Sequence, residues 1–121
     1  MYEIEIQRVF HASHAIRLYD GAMEEPHAHD WHVFAYIAAQ ELDAIEVVMD
    51  FHELERIVDA VLKPFHGADI NTLPAFATLN PSAERIVEVI YRGIAPRLPD
   101  RVKLTKVTIT EAPGCRASFW L

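Results

Sequence analysis

A single cysteine, Cys115, has no partner for an intrachain disulfide, so no covalent staple is expected in this fold. No apolar stretch at the start of the chain reaches signal-peptide length, and the expected location is a reducing cytoplasm. Positive charge is scarce: 11 Lys and Arg stand against 18 Asp and Glu, giving a formal net charge of −7. With no basic cluster to offset it, such a surface repels phosphate backbones and acidic membrane faces, so nucleic acid and membranes are not expected partners. Long hydrophobic runs are missing too. The longest, Val33 to Ala39, falls far short of the roughly 20 residues that cross a bilayer and reads as a buried strand. Glycine is sparse at 4 residues while 51% of the chain is hydrophobic, which argues against disorder. A chain of 121 residues with that composition is expected to form one domain, 1–121, around one core.

Apolar and polar residues alternate from Tyr2 through Ile6, and the segment to Phe10 reads as a strand with one face on the core. After a loop containing Gly21 and Pro26, His27 to Gln40 is rich in aromatic and β-branched residues and forms a second strand, paired antiparallel to the first with His14 near the turn. Asp50 caps a helix, with Glu53 as its capping-box partner, and Leu54, Ile57, Val58, Val61 and Leu62 make its apolar stripe until Pro64. Asn80-Pro81 starts a second helix that buries Ile86, Val87, Ile90 and Ile94 and stops at Pro96. Val102 to Glu111 is a third strand whose alternation slips between Leu104 and Val107, as a bulge produces; Ala117 to Leu121 is a fourth, after the Pro113-Gly114 turn. The order ββααββ predicts an α+β fold: a four-stranded antiparallel sheet with two helices on one face. Its other face and its edges need cover, which oligomerisation supplies.

Five of the 7 histidines fall between His11 and His32. His27 and His29 are two apart on a strand, so both imidazoles leave the same face and can grip one ion; His32 has the opposite parity. His14, just past the first strand, is placed to add a third nitrogen. Three neutral imidazoles with no Cys nearby match a catalytic zinc site, whose fourth position stays open, better than a closed structural one. Copper, nickel and iron also accept imidazole.

Phe10-His-Ala-Ser-His14 resembles the Phe-x-Ala-x-His segment of the 6-pyruvoyltetrahydropterin synthase and 6-carboxytetrahydropterin synthase family, and His27-Ala-His29 resembles its His-Gly-His. Val48-Met-Asp-Phe51, Asn80-Pro-Ser-Ala-Glu84 and Thr110-Glu111 are similar, in the same order, to its Met-Val-x-Asp-Phe, Asn-Pro-Thr-x-Glu and late Glu-Thr segments. The resemblance implies the tunnelling fold, with subunits in rings and two stacked trimers making a hexamer whose active sites lie between subunits. It also implies Zn2+ on His14, His27 and His29, and Glu111 as the anchor that accepts two hydrogen bonds from the pterin's donor edge.

The chain departs from the family where protons move. Met23 stands where the family has its catalytic Cys, and a thioether takes no proton. The family's Asp-His pair falls, without a gap, on His66 and Gly67 of Phe65-His-Gly-Ala-Asp-Ile-Asn71. Glu24 or Glu25 can stand in for the Cys, since some family variants use a nearby glutamate to cleave dihydroneopterin on a folate route. A one-residue gap restores His66 as the catalytic His, with Asp69 to orient it. The leading expectation is a lyase that converts 7,8-dihydroneopterin triphosphate to 6-carboxytetrahydropterin on the queuosine route. The alternatives are a 6-pyruvoyltetrahydropterin synthase, a folate-route cleaving variant, and a non-catalytic zinc and pterin binding protein.

Overall fold

The computed structural model describes residues 1–121. Two long strands, β1 (Tyr2–His14) and β2 (His27–Ala39), pair antiparallel without interruption from Tyr2↔Ala39 to His14↔His27. That register fixes the faces. Ile6, Phe10, Ala12 and His14 from β1 point the same way as Trp31, Val33, Ala35 and Ile37 from β2, and all are buried. Arg8 shares their face. Its guanidinium forks onto both oxygens of Asp59, at 2.7 and 2.8 Å, and reaches Glu55 at 3.0 Å, which is why the apolar alternation breaks after Ile6.

Asp59 and Glu55 belong to α1 (Phe51–Leu62), the first of two helices laid on this face. Asp50 caps it by accepting from the His52 N–H at 3.0 Å, and Glu53 returns no bond, so Asp50 caps alone and the expected capping box does not form. Leu54, Val58 and Leu62 are fully buried, contributing about 1.5–3 kcal/mol apiece. Helix α2 (Ala83–Ile94) buries Ile86, Val87, Ile90, Tyr91 and Ile94. Its cap is Ser82, which accepts from Arg85 N–H at 3.2 Å; Asn80, read from sequence as the helix start, is used elsewhere.

The sheet has five strands rather than the expected four, because a two-residue strand, β3 (Ala68–Asp69), runs parallel to Ala12 and Ser13. β4 (Lys103–Ala112) and β5 (Cys115–Phe119) complete the order β3-β1-β2-β4-β5. The last strand begins two residues earlier and ends two earlier than the sequence pattern suggested. The expected bulge is present: Ile37 pairs with Leu104 and Tyr36 with Lys106, so Thr105 is extra and Leu104, Val107 and Ile109 all face inward. A second irregularity lies further along, where Thr110 pairs with Arg116 and Ala112 with Cys115, leaving Glu111 without a partner. No helix is long and apolar enough to cross a membrane.

Candidate functional site

The paired ends of β1 and β2 bring His14, His27 and His29 together. Ring centroids lie 4.6 Å apart for His14 and His27, 5.6 Å for His14 and His29, and 4.8 Å for His27 and His29. The indole of Trp31 is the floor, edge-on to both His14 and His29, and it is itself fixed by donating to the Ala12 carbonyl at 3.1 Å. Glu111 closes the group. One donor atom from each of the three histidines and Glu111 fits within a 4.8 Å span, a spacing that suits a single ion.

Two of the ligand candidates, His14 and His27, are oriented from outside the group. His14 is buried, and its Nδ1 donates to the carbonyl of Pro81 at 2.8 Å, just before the α2 cap. That bond leaves Nε2 as the lone-pair atom. His14 Nε2 lies 2.6 Å from Glu111 Oε1, yet the two make no hydrogen bond of acceptable geometry, and the nitrogen is a buried polar atom without a partner. The Nε2 of His27 sits 3.1 Å from Glu24 Oε1, which turns its Nδ1 inward to within 2.6 Å of His29 Nε2. Burial pushes the His29 imidazolium pKa down, partly opposed by Glu111 and reinforced by His27, His14 and His11, which favours the neutral ring that a metal needs. A buried unpartnered nitrogen, two converging imidazoles and one carboxylate, with Cys115 exposed and outside the group, fit zinc.

Two asparagines, Asn71, to which the sequence assigned no role, and Asn80, which it read as a helix start, hold the chain just after His14. Asn71 accepts from Ala15 N–H and donates to Ala15 C=O; Asn80 does the same to Arg17, all at 2.8–3.0 Å. A carboxamide can mimic a peptide edge in this way, and no periodicity announces it. His32 behaves as its parity requires, bonding Gln7 at 3.0 Å on the opposite face.

The expected catalytic residues separate. Glu24 is at the site: its Oε1 accepts from Ile16 N–H at 2.8 Å and faces His27. The Ile16 bond first, and then His27, hold its carboxyl below the ordinary range. Met23 is exposed and bridges to Arg17 through the backbone. His66 and Asp69 do not meet each other or the trio. Asp69 caps the following turn by accepting from Asn71 N–H, and His66 lines a separate groove of 770 Å³ with Arg8, Arg56 and Lys63. A different groove, of 590 Å³, is lined by His29, Asp30, His32, Thr110, Glu111 and Arg116.

The profile of the family described as 6-pyruvoyl tetrahydropterin synthase matches residues 3–121. The chain belongs to the 6-pyruvoyl tetrahydropterin synthase family. Among curated proteins it is similar to a dihydroneopterin monophosphate aldolase from Pyrococcus furiosus, 29% identical over 102 residues that span 84% of this chain and 82% of that one. Among solved structures it is similar in fold to the 6-pyruvoyl tetrahydropterin synthase of Caenorhabditis elegans, at a TM-score of 0.83 and 18% identity, covering 100% of this chain and 97% of the other. The Plasmodium vivax 6-pyruvoyltetrahydropterin synthase, solved with a catalytic glutamate replaced by alanine, gives a TM-score of 0.77 at 18% identity over 98% and 96% of the two chains. The tunnelling fold and a pterin-directed lyase or aldolase type of function follow from this membership.

Proposed function

We propose that this protein is a zinc-dependent pterin lyase that breaks the C1′–C2′ bond in the side chain of a 7,8-dihydroneopterin or its phosphate ester. The observation that carries the reading is the placement of Glu24. A carboxylate stands beside His27 where the family's thiol is replaced by the unreactive Met23, and the curated relative is an aldolase. The catalytic glutamate of the Plasmodium protein supports the same substitution of carboxylate for thiol.

His14, His27 and His29 would hold the zinc. When bound, zinc supplies Lewis-acid stabilisation of negative charge on the substrate's side chain. Glu24 takes the proton of the C2′ hydroxyl. The C1′–C2′ electron pair then moves into the ring through C6 and N5, and C2′ and C3′ leave as a two-carbon aldehyde. A proton returned to C1′ completes a 6-hydroxymethyl pterin, with no net oxidation and no water consumed. Glu111 accepts from the pterin's amino and ring N–H groups, and Arg116, which lines the same groove, supplies the cation for a side-chain phosphate. His66 and Asp69 make no hydrogen bond to their own chain's trio, and in this reading they serve as proton-transfer groups through a neighbouring subunit.

Incubating zinc-loaded protein with 7,8-dihydroneopterin, its monophosphate and its triphosphate, and identifying products by mass spectrometry, tests the reading. A 6-hydroxymethyl pterin with glycolaldehyde or its phosphate is expected. The 6-carboxytetrahydropterin suggested by the resemblance, a 6-pyruvoyl product, or tight binding without turnover would each replace this reading with another.

A further inference from the structure

We propose that Glu111 is the fourth ligand of the metal in the substrate-free protein, and that it leaves the ion to anchor the pterin. The proposal rests on the metal centre described above and deepens it: the open coordination position is created when substrate arrives.

Glu111 Oε1 is 2.6 Å from His14 Nε2 and 3.8 Å from His29 Nε2. His14 cannot relieve the short contact by tautomerising, because its only N–H is committed to Pro81. A proton shared between Nε2 and Oε1 requires the oxygen on the nitrogen's in-plane axis, and the pair misses that geometry. Two ligands of one tetrahedral zinc behave differently. With metal–ligand bonds near 2.0–2.1 Å, their donor atoms stand about 3.3 Å apart, each off the other's lone-pair axis. The two Glu111 distances straddle that value. The unpaired position of Glu111 at the second irregularity of β4 aims this carboxylate inward beside the histidines and releases it from the β5 ladder.

A metal and a bidentate pterin edge both take a carboxylate best through its syn lone pairs, so the two roles compete for Glu111. Binding of the pterin therefore exchanges Glu111 for a substrate oxygen, and an empty site keeps its metal capped against stray anions.

Cobalt(II), which replaces zinc and absorbs visible light, reads the coordination directly. The wild-type protein loaded with cobalt and titrated with azide should keep its spectrum, whereas Glu111→Ala should shift as azide enters the opened position. The variant should also hold cobalt about tenfold to a hundredfold more weakly. Adding 7,8-dihydroneopterin to the wild type should shift its spectrum as a substrate oxygen replaces the carboxylate, while the metal stays insensitive to azide; an unchanged spectrum on saturating pterin overturns the exchange. Glu111→Gln, which preserves volume, carries the same expectations, and circular dichroism checks that both variants fold. Equal azide shifts in wild type and variants overturn the Glu111 ligand while leaving the three-histidine site standing. Failure of the wild type to take up one metal per chain overturns the site and this proposal together.

Discussion

Asn80 grips the backbone of Arg17 from both sides, accepting from its N–H at 2.8 Å and donating to its carbonyl at 3.0 Å. The clamp lies one residue before Pro81, whose carbonyl receives His14, so one short segment fixes both the loop after β1 and the tautomer of a ligand. Asn80→Ala leaves a part-buried peptide unit unsatisfied and should cost about 1–3 kcal/mol. Denaturant melting measures that loss. Zinc affinity should fall with it, and a variant as stable and as tight as wild type would show that the clamp is ornamental.

His27→Ala and His29→Ala should each weaken zinc binding, read as metal lost on dialysis against a chelator that leaves the wild type loaded, since each removes one of the four donor groups gathered at the site. His32→Ala should not, because its ring bonds Gln7 on the other face of the sheet. Elemental analysis of the three purified proteins decides the assignment. Full zinc in His27→Ala, or loss in His32→Ala, would sink it.

Glu24→Gln should lower turnover by about 10²–10⁴ while zinc stays bound, because the amide keeps the Ile16 contact but accepts no substrate proton. Its pKa is depressed, so the ionised form persists below the ordinary carboxylate range. The stability it contributes is present above the unfolded value and lost only as pH falls through the lower folded one. Steady-state rates from pH 7 to pH 5 should therefore show no decline traceable to Glu24. Wild-type rates in the Gln variant would move the base elsewhere.

The sequence is legible where side-chain period and pairing agree. Parity on β2 separates His32 from His27 and His29, and the slip between Leu104 and Val107 is the bulge at Thr105. It is illegible where tertiary contacts override local preference. The residues from His11 to His14 carry no strand pattern and extend β1 only because β2 and β3 pair with them on either side. β3 is too short for any periodicity to register. The clamps by Asn71 and Asn80, the separation of His66 from the trio, and the inward aim of Glu111 all depend on where loops meet in space, which one chain's spacing does not encode.

The edge of β1 below Ala12 and the outer edge of β5 are both unpaired, an arrangement that ring closure by identical copies would satisfy. A symmetric hexamer by light scattering is the expected state. Ring assembly also bears on chemistry, because His66 lines a groove with none of the three histidines, and a role for it in the reaction would be at a neighbour's site. Glu24→Gln and His66→Ala should each be impaired alone. If a site draws Glu24 from one subunit and His66 from another, random co-assembly of equal amounts restores both groups in about a quarter of sites. Were the two residues to work within one subunit, every chain in the mixture would carry a lesion and no activity would return. Unfolding, mixing and refolding the two variants, with each refolded alone as a control, therefore distinguishes shared from private sites. An active monomer, or a mixture no better than its parents, would remove His66 from the reaction as drawn here.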